Sequence, residues 1–225
     1  MSPVQISYFS DVLCVWAYAG HRRVEELVHQ FGEQVTIETH YCSVFPDAHS
    51  KIEDKWATRD TYAGFNAHTL EVAKTFPHVT IHPDIWTSTR PRTSSSAHLW
   101  LKAVELIEDR DLPWLDRLST RAAWAVREAF FKEARDISDW AVLGAIMTGL
   151  GADTQALRAV IEDSRAVTAL AADYHLCHES GVTGSPTLRL NGGRQVLFGN
   201  VGYKLIEANV QELLRTHGKQ DASWC

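Results

Sequence analysis

The sequence predicts an α/β fold in which a block of helices is set between two strand-bearing halves. Three observations predict it. The chain opens strand–helix–strand. Its middle carries helical patterning, and it closes on two short strands and a helix. Strands that alternate with helices favour a mixed layer architecture, because neither half can bury both of its faces alone.

Each element follows from local pattern. VQISYF, Val4 to Phe9, alternates and is rich in β-formers, so it reads as a first strand. Ser10 and Asp11 stand as helix-capping residues behind it. From about Cys14 to Phe31 the apolar spacing is helical, through Val24, Leu27, Val28 and Phe31, and Gly32 is a stop signal. VTIETHYCSV alternates again, giving a second strand that includes Cys42. This βαβ unit calls for a parallel pair with a right-handed crossover.

From about Thr58 to Ser180 the residues mostly suit helices. SSSAHLWLKAVELIED begins with serine caps and has an amphipathic face of Leu99, Ala103, Leu106 and Ile107. TRAAWAVREAFFKEA and TQALRAVIED are further helices. ISDWAVLGAIMTGLG starts on the caps Ser138 and Asp139, and SRAVTALAADYHLCHESG stops at Gly181. FPHVTIHPDIWTSTRPR is a long irregular connection. PTLRLNGGRQVLFG gives two strands around Asn191-Gly192-Gly193, a hairpin signal, and GYKLIEANVQELLRTHG is a final amphipathic helix. Reassembled, the order is a thioredoxin-like fold with an inserted all-helical domain. Residues 1–57 and 181–218 form a discontinuous thioredoxin-like domain, 58–180 the helical insertion, and 219–225 a flexible tail.

Composition narrows the function. The chain has 225 residues, 45% hydrophobic and 22% charged, an ordinary globular balance with eight tryptophans to fill a core. A net charge of −6 without any basic run argues against a nucleic-acid surface. Neither a membrane-length apolar stretch nor a signal-peptide pattern is seen, which predicts a soluble cytoplasmic protein. Four scattered cysteines, Cys14, Cys42, Cys177 and Cys225, lack metal-site spacing and do not read as a disulfide framework.

SDVLCVWAY, FFKEARDISDWAVL and GVTGSPTLRLNGGRQVLFGNVGY together resemble the FrnE-type branch of the DsbA-like oxidoreductases. There the first strand ends where CPWC opens the helix, and a glycine–valine run precedes a cis-proline and a hairpin. The related glutathione-dependent branch, the kappa-class transferases and the 2-hydroxychromene-2-carboxylate isomerases, shares this architecture. Two departures stand out. The CxxC position reads Cys14-Val15-Trp16-Ala17, so the second cysteine is lost. The glutathione-dependent branch usually has serine at the first position and Ser-Asp after the last Phe-Gly, whereas here Gly199 is followed by Asn200-Val201.

The resemblance implies a site built on Cys14, Trp16, Ser185, Pro186, Gly199 and Asn200. Cys14 at a helix N-terminus reads as a nucleophile whose pKa can be lowered well below about 8.5, the alternative being a buried small hydrophobe. The resemblance implies a cis Ser185–Pro186 bond and an unpaired Ser185 backbone that pairs with an extended peptide or glutathione. Gly181 and Gly184 allow the close approach. Trp16 is a lid, a stacking surface or a core residue. Asn200 can meet a ligand carboxylate, but Val201 cannot supply an acidic partner for glutathione's amino group.

Several other residues read more simply as structure. His175, Cys177 and His178 point different ways on a helix, so no metal site is expected. His78 and His82 share a face if Val79–Ile81 is a strand. Cys42 is a core residue or a remote resolving thiol. Arg90 and Arg92 meet an acidic ligand or are solvated. One thiol can exchange with a small thiol such as glutathione, giving a glutathione-linked thiol–disulfide oxidoreductase acting on a small thiol or disulfide-containing substrate. Two alternatives are a glutathione-dependent isomerase or transferase and a non-catalytic binding module. The kappa-class relatives imply a homodimer.

Overall fold

The computed structural model describes residues 2–215. The expected tail and Cys225 lie outside these residues. A four-stranded sheet has the order β2-β1-β3-β4. Its strands are β1 (Val4–Ser10), β2 (Val35–Tyr41), β3 (Thr187–Leu190) and β4 (Gln195–Phe198). β1 pairs parallel with β2, Ile6 opposite Ile37, and antiparallel with β3, Tyr8 opposite Leu188. The first strand and the late hairpin therefore share one sheet, with β1 inside it. Asn191 to Gly193 turn the hairpin with positive φ at all three residues.

Between β1 and β2 runs α1 (Val15–Phe31), ended by Gly32, whose φ of 49° side chains resist. Seven helices lie between β2 and β3: α2 (Ala48–Lys55), α3 (Thr61–Lys74), α4 (Ser95–Ile107), α5 (Leu118–Phe131), α6 (Trp140–Gly149), α7 (Thr154–Glu162) and α8 (Arg165–Glu179). α9 (Tyr203–Arg215) follows the hairpin. Val24, Leu27 and Phe31 of α1 and Ile206, Val210 and Leu213 of α9 cover the sheet's Ile6, Ile37 and Leu190. A larger core gathers the helices around the β1–α1 junction, from Val12 to Ala19. Trp86 and Trp100 have no exposure there. Each removes ~150–250 Å² from water, at most about 4–6 kcal/mol of apolar transfer.

Three expectations are corrected and one conditional reading is decided. The helical block opens at Ala48, because Asp47 caps α2 through the Ser50 N–H (3.2 Å). β2 ends at Tyr41, so Cys42 is buried but outside the strand, its N–H donating to the Ser10 carbonyl (3.0 Å). Val79–Ile81 is not a strand; His78 bonds the Ala19 carbonyl and His82 the Asp84 N–H. Ser10 and Asp11 do not cap α1, whose N-cap is Cys14 itself.

Candidate active site

The junction between β1 and α1 is built around Asp11, a carboxylate with no exposure. Its Oδ1 accepts from the Leu13 N–H (2.9 Å). Its Oδ2 accepts from the Val44 and Phe45 N–H groups (3.0 Å each) and the Ser94 hydroxyl (2.8 Å). These donors satisfy the charge without a cation; the nearest ring nitrogen, His98 Nε2, stands at 3.8 Å. His98 is neutral, since burial holds it down at about 4 despite the Asp11 charge. Asp11 thus pins the start of α1, the loop after β2 and the start of α4 at one point. The sequence reading saw in it only a cap.

Cys14 follows, its N–H donating to the Asp11 carbonyl (3.1 Å). The Cys14 thiol donates to the Ser185 carbonyl (3.1 Å), across 171 residues of chain. The Ser185 hydroxyl in turn accepts from the Asp11 N–H (2.9 Å). The Ser185–Pro186 peptide is cis. The structure thus brings Cys14 and Ser185 into direct contact. It does not make Cys14 a ready thiolate. Burial pushes the thiol above its ordinary range and the Asp11 charge adds to the rise, against the opposing pull of the Ser185 side chain and the Ala17 and Trp16 N–H groups. The expected lowering fails because only 7% of Cys14 is exposed, and a desolvated anion costs more than a helix N-terminus returns.

A cavity of about 240 Å³ opens onto the thiol, and its wall is mostly apolar. Trp16 and Ser185 line it as expected, with Phe45, Phe65, His68 and Phe198, which sequence reasoning missed. Trp16 also packs against the helical core and sets its edge on Phe76 (6.3 Å). A Cβ on Gly184 would stand 2.8 Å from the Phe198 ring, which would have to turn aside. Pro186 and Gly199 line a separate hollow of about 20 Å³ with Tyr8, Arg23 and Val201. The Gly199 N–H is given to the Pro186 carbonyl (2.8 Å). Asn200 is outside the thiol cavity, its Oδ1 accepting from Arg23 (2.6 Å). Arg90 stacks over Tyr62 instead of facing the cavity (4.1 Å). His175 is exposed and pairs with Glu179 (3.1 Å), while Cys177 is buried, so the two do not converge.

The family model of the DSBA-like thioredoxin domain matches residues 5–211, which carry both the Cys14 junction and the Ser185–Pro186 loop. The chain belongs to that family. Among solved structures, one from Nitrosomonas europaea superposes with a TM-score of 0.78 at 16% identity, covering 96% of this chain and 100% of its own. The cytosolic disulfide reductase DsbM from Pseudomonas aeruginosa with GSH gives 0.64 at 17%, covering 95% and 98%. 2-Hydroxychromene-2-carboxylate isomerase gives 0.63 at 15%, covering 97% and 100%. At these identities the likeness is one of fold. No curated protein matches in sequence. DsbA-like chains are generally thiol–disulfide oxidoreductases, and this fold is shared by a reductase and an isomerase. No helix among the described residues is long and apolar enough to cross a membrane.

Proposed function

We propose that this DsbA-like chain catalyses thiol–disulfide exchange through Cys14 alone, with a small thiol such as glutathione completing the cycle. The observation that carries the reading is the Cys14 thiol on the Ser185 carbonyl at the mouth of a cavity, with Ala17 where a resolving thiol would stand. In the exchange, the Cys14 sulfur attacks one sulfur of a disulfide. The S–S bond breaks, and the leaving thiolate takes the Cys14 proton. A second small thiol then attacks the mixed disulfide and frees Cys14. Position 17 supplies no intramolecular alternative. Solution in the cytoplasm and a homodimer remain part of this reading, the former supported by the cytosolic DsbM fold relative.

One observation favours a second reading. The cavity is walled by Trp16, Phe45, Phe65 and Phe198, and the resting thiol is protonated. That suits a glutathione-dependent isomerisation or transfer on a flat apolar substrate, with the Cys14 S–H donating a hydrogen bond to the glutathione sulfur.

The test is a mass spectrum after treatment with oxidised glutathione, wild type against Cys14→Ser, followed by a disulfide-reduction assay with and without glutathione. Exchange predicts one glutathione adduct on wild type, none at that site in Cys14→Ser, and reduction only when glutathione is present. Ala17→Cys, reduced beforehand, should reduce one equivalent of the disulfide without glutathione, its own two thiols supplying the electrons as they join in an intramolecular disulfide, since a Cys-x-x-Cys turn brings two sulfurs within bonding reach. A glutathione-dependent isomerisation that survives in Cys14→Ser, with no adduct in wild type, replaces the first reading by the second. Full wild-type reduction without glutathione refutes the single-thiol mechanism.

A further inference from the structure

Two thiols outside the proposed reaction lie against each other. Phe9, Cys42 and Cys177 form a small apolar cluster of their own, edged by Val44, Leu176 and Val182. The Cys42 and Cys177 side chains pack against each other in this cluster. The Cys177 sulfur in turn donates to the carbonyl of Tyr41 (3.5 Å), the residue that precedes Cys42. The Cys177 side chain therefore reaches the backbone of the residue next to Cys42. Both are free thiols. The neighbouring Cys177 side chain and burial hold the Cys42 thiol in its protonated form, well above the ordinary range.

The structure assigns Cys42 and Cys177 as a latent disulfide, a reversible redox modification site that ties the end of β2 to α8. The two side chains share one apolar cluster, and the Tyr41 contact holds the Cys177 sulfur beside the backbone that leads into Cys42, the neighbourhood a disulfide needs. A hydroperoxide is the matching oxidant. The Cys177 sulfur, the more exposed of the two (7% against 4%), attacks the peroxide oxygen. The O–O bond breaks, leaving a sulfenic acid and one water, or an alcohol from an organic peroxide. The Cys42 sulfur then attacks the sulfenic sulfur and expels hydroxide, which leaves as water with the Cys42 proton. Two equivalents of a small thiol reverse the change.

The bridge would act on the cavity from behind. Val44 and Phe45, just after Cys42, form one wall. The Val182 N–H donates to the Cys177 carbonyl (2.9 Å), and Gly184 and Ser185 follow as the opposite wall. Oxidation therefore staples both walls and encloses α2 to α7 and most of α8 in one covalent loop.

The experiment uses the full chain carrying Cys14→Ser, so its outcome is independent of the exchange reaction. The folded protein is treated with hydrogen peroxide, remaining thiols are blocked with N-ethylmaleimide, and a non-reducing digest is read by mass spectrometry. The expected result is a Cys42–Cys177 linked peptide, two hydrogens lighter than its parts and released by dithiothreitol. The oxidised protein should melt higher by roughly 5–15 °C, since the bridge closes a long loop. Recovery of Cys42 and Cys177 as maleimide adducts or as separate sulfinic acids overturns the assignment. So does linkage of either to Cys225, or a bridge that forms only in denaturant.

Discussion

Asp11→Ala tests the junction that presents Cys14. The substitution removes a buried acceptor of four hydrogen bonds. Two of the four donors keep a second partner: the Val44 N–H reaches the Cys42 carbonyl (3.0 Å), and the Ser94 hydroxyl reaches the Phe45 carbonyl (3.2 Å). The Leu13 and Phe45 N–H groups have no second acceptor in this arrangement. Each orphaned buried donor costs about 1–3 kcal/mol, so the variant should lose about 2–6 kcal/mol. For a chain of this size that is a fall in Tm on the order of 5–20 °C. Thermal melts followed by circular dichroism supply the measurement, with Ser94→Ala as control. The control leaves three N–H donors on Asp11 and should cost only about 0.5–1.5 kcal/mol. An Asp11→Ala protein that melts within about 2 °C of wild type would refute the reasoning, because the stranded amides would then have found other partners.

Two further outcomes are expected. Alkylation of Cys14 should quicken about tenfold per pH unit from pH 6 to beyond 8.5 without levelling, because burial raises this thiol above its ordinary value; a plateau reached below about pH 7 in an iodoacetamide titration would contradict it. Acid should weaken the fold early. Burial depresses His21 to about 3, helped by Arg127, and His98 to about 4. Below about pH 6.5 the unfolded histidines take up protons that the folded ones refuse, so the unfolded state binds more protons and stability falls down to the folded values. Between pH 7 and 5 this amounts to about 2–4 kcal/mol, read from urea midpoints at the two pH values; equal midpoints would contradict the burial of both rings in neutral form.

How much was legible in the sequence depended on whether the cause was local. β1, α1 and the Asn191–Gly193 turn follow from periodicity and glycine placement and appear within a residue or two of where the pattern puts them, and α9 starts one residue from its expected start. Asp139 caps α6 as read, because a cap is decided within three residues. α2 was missed because AHSKIEDK buries only Ala48 and Ile52, too few apolar positions to declare a period. The serine before α4 looked like an ordinary cap, yet its hydroxyl is spent on Asp11, 83 residues away. The partnership of Cys14 with Ser185 came from a family resemblance, since no spacing rule reaches across 171 residues. The burial of that thiol was invisible for the same reason: Cys14 packs into a core that Phe45, Trp86 and Trp100, distant in sequence, help to build.

The position of β1 within the sheet has a consequence for synthesis. One edge of β1 meets β2 as soon as the first βαβ unit is made. Its other edge waits for β3, and the Gln5–Asn191 hydrogen bond at that seam spans 186 residues. At ~5–20 residues per second the ribosome takes about 10–40 s to deliver the second partner. For that interval the nascent chain exposes an apolar strand edge carrying Ile6 and Tyr8, the template on which unwanted pairing with another chain starts. A chaperone that shields extended apolar segments should therefore be needed before the hairpin emerges and dispensable after it.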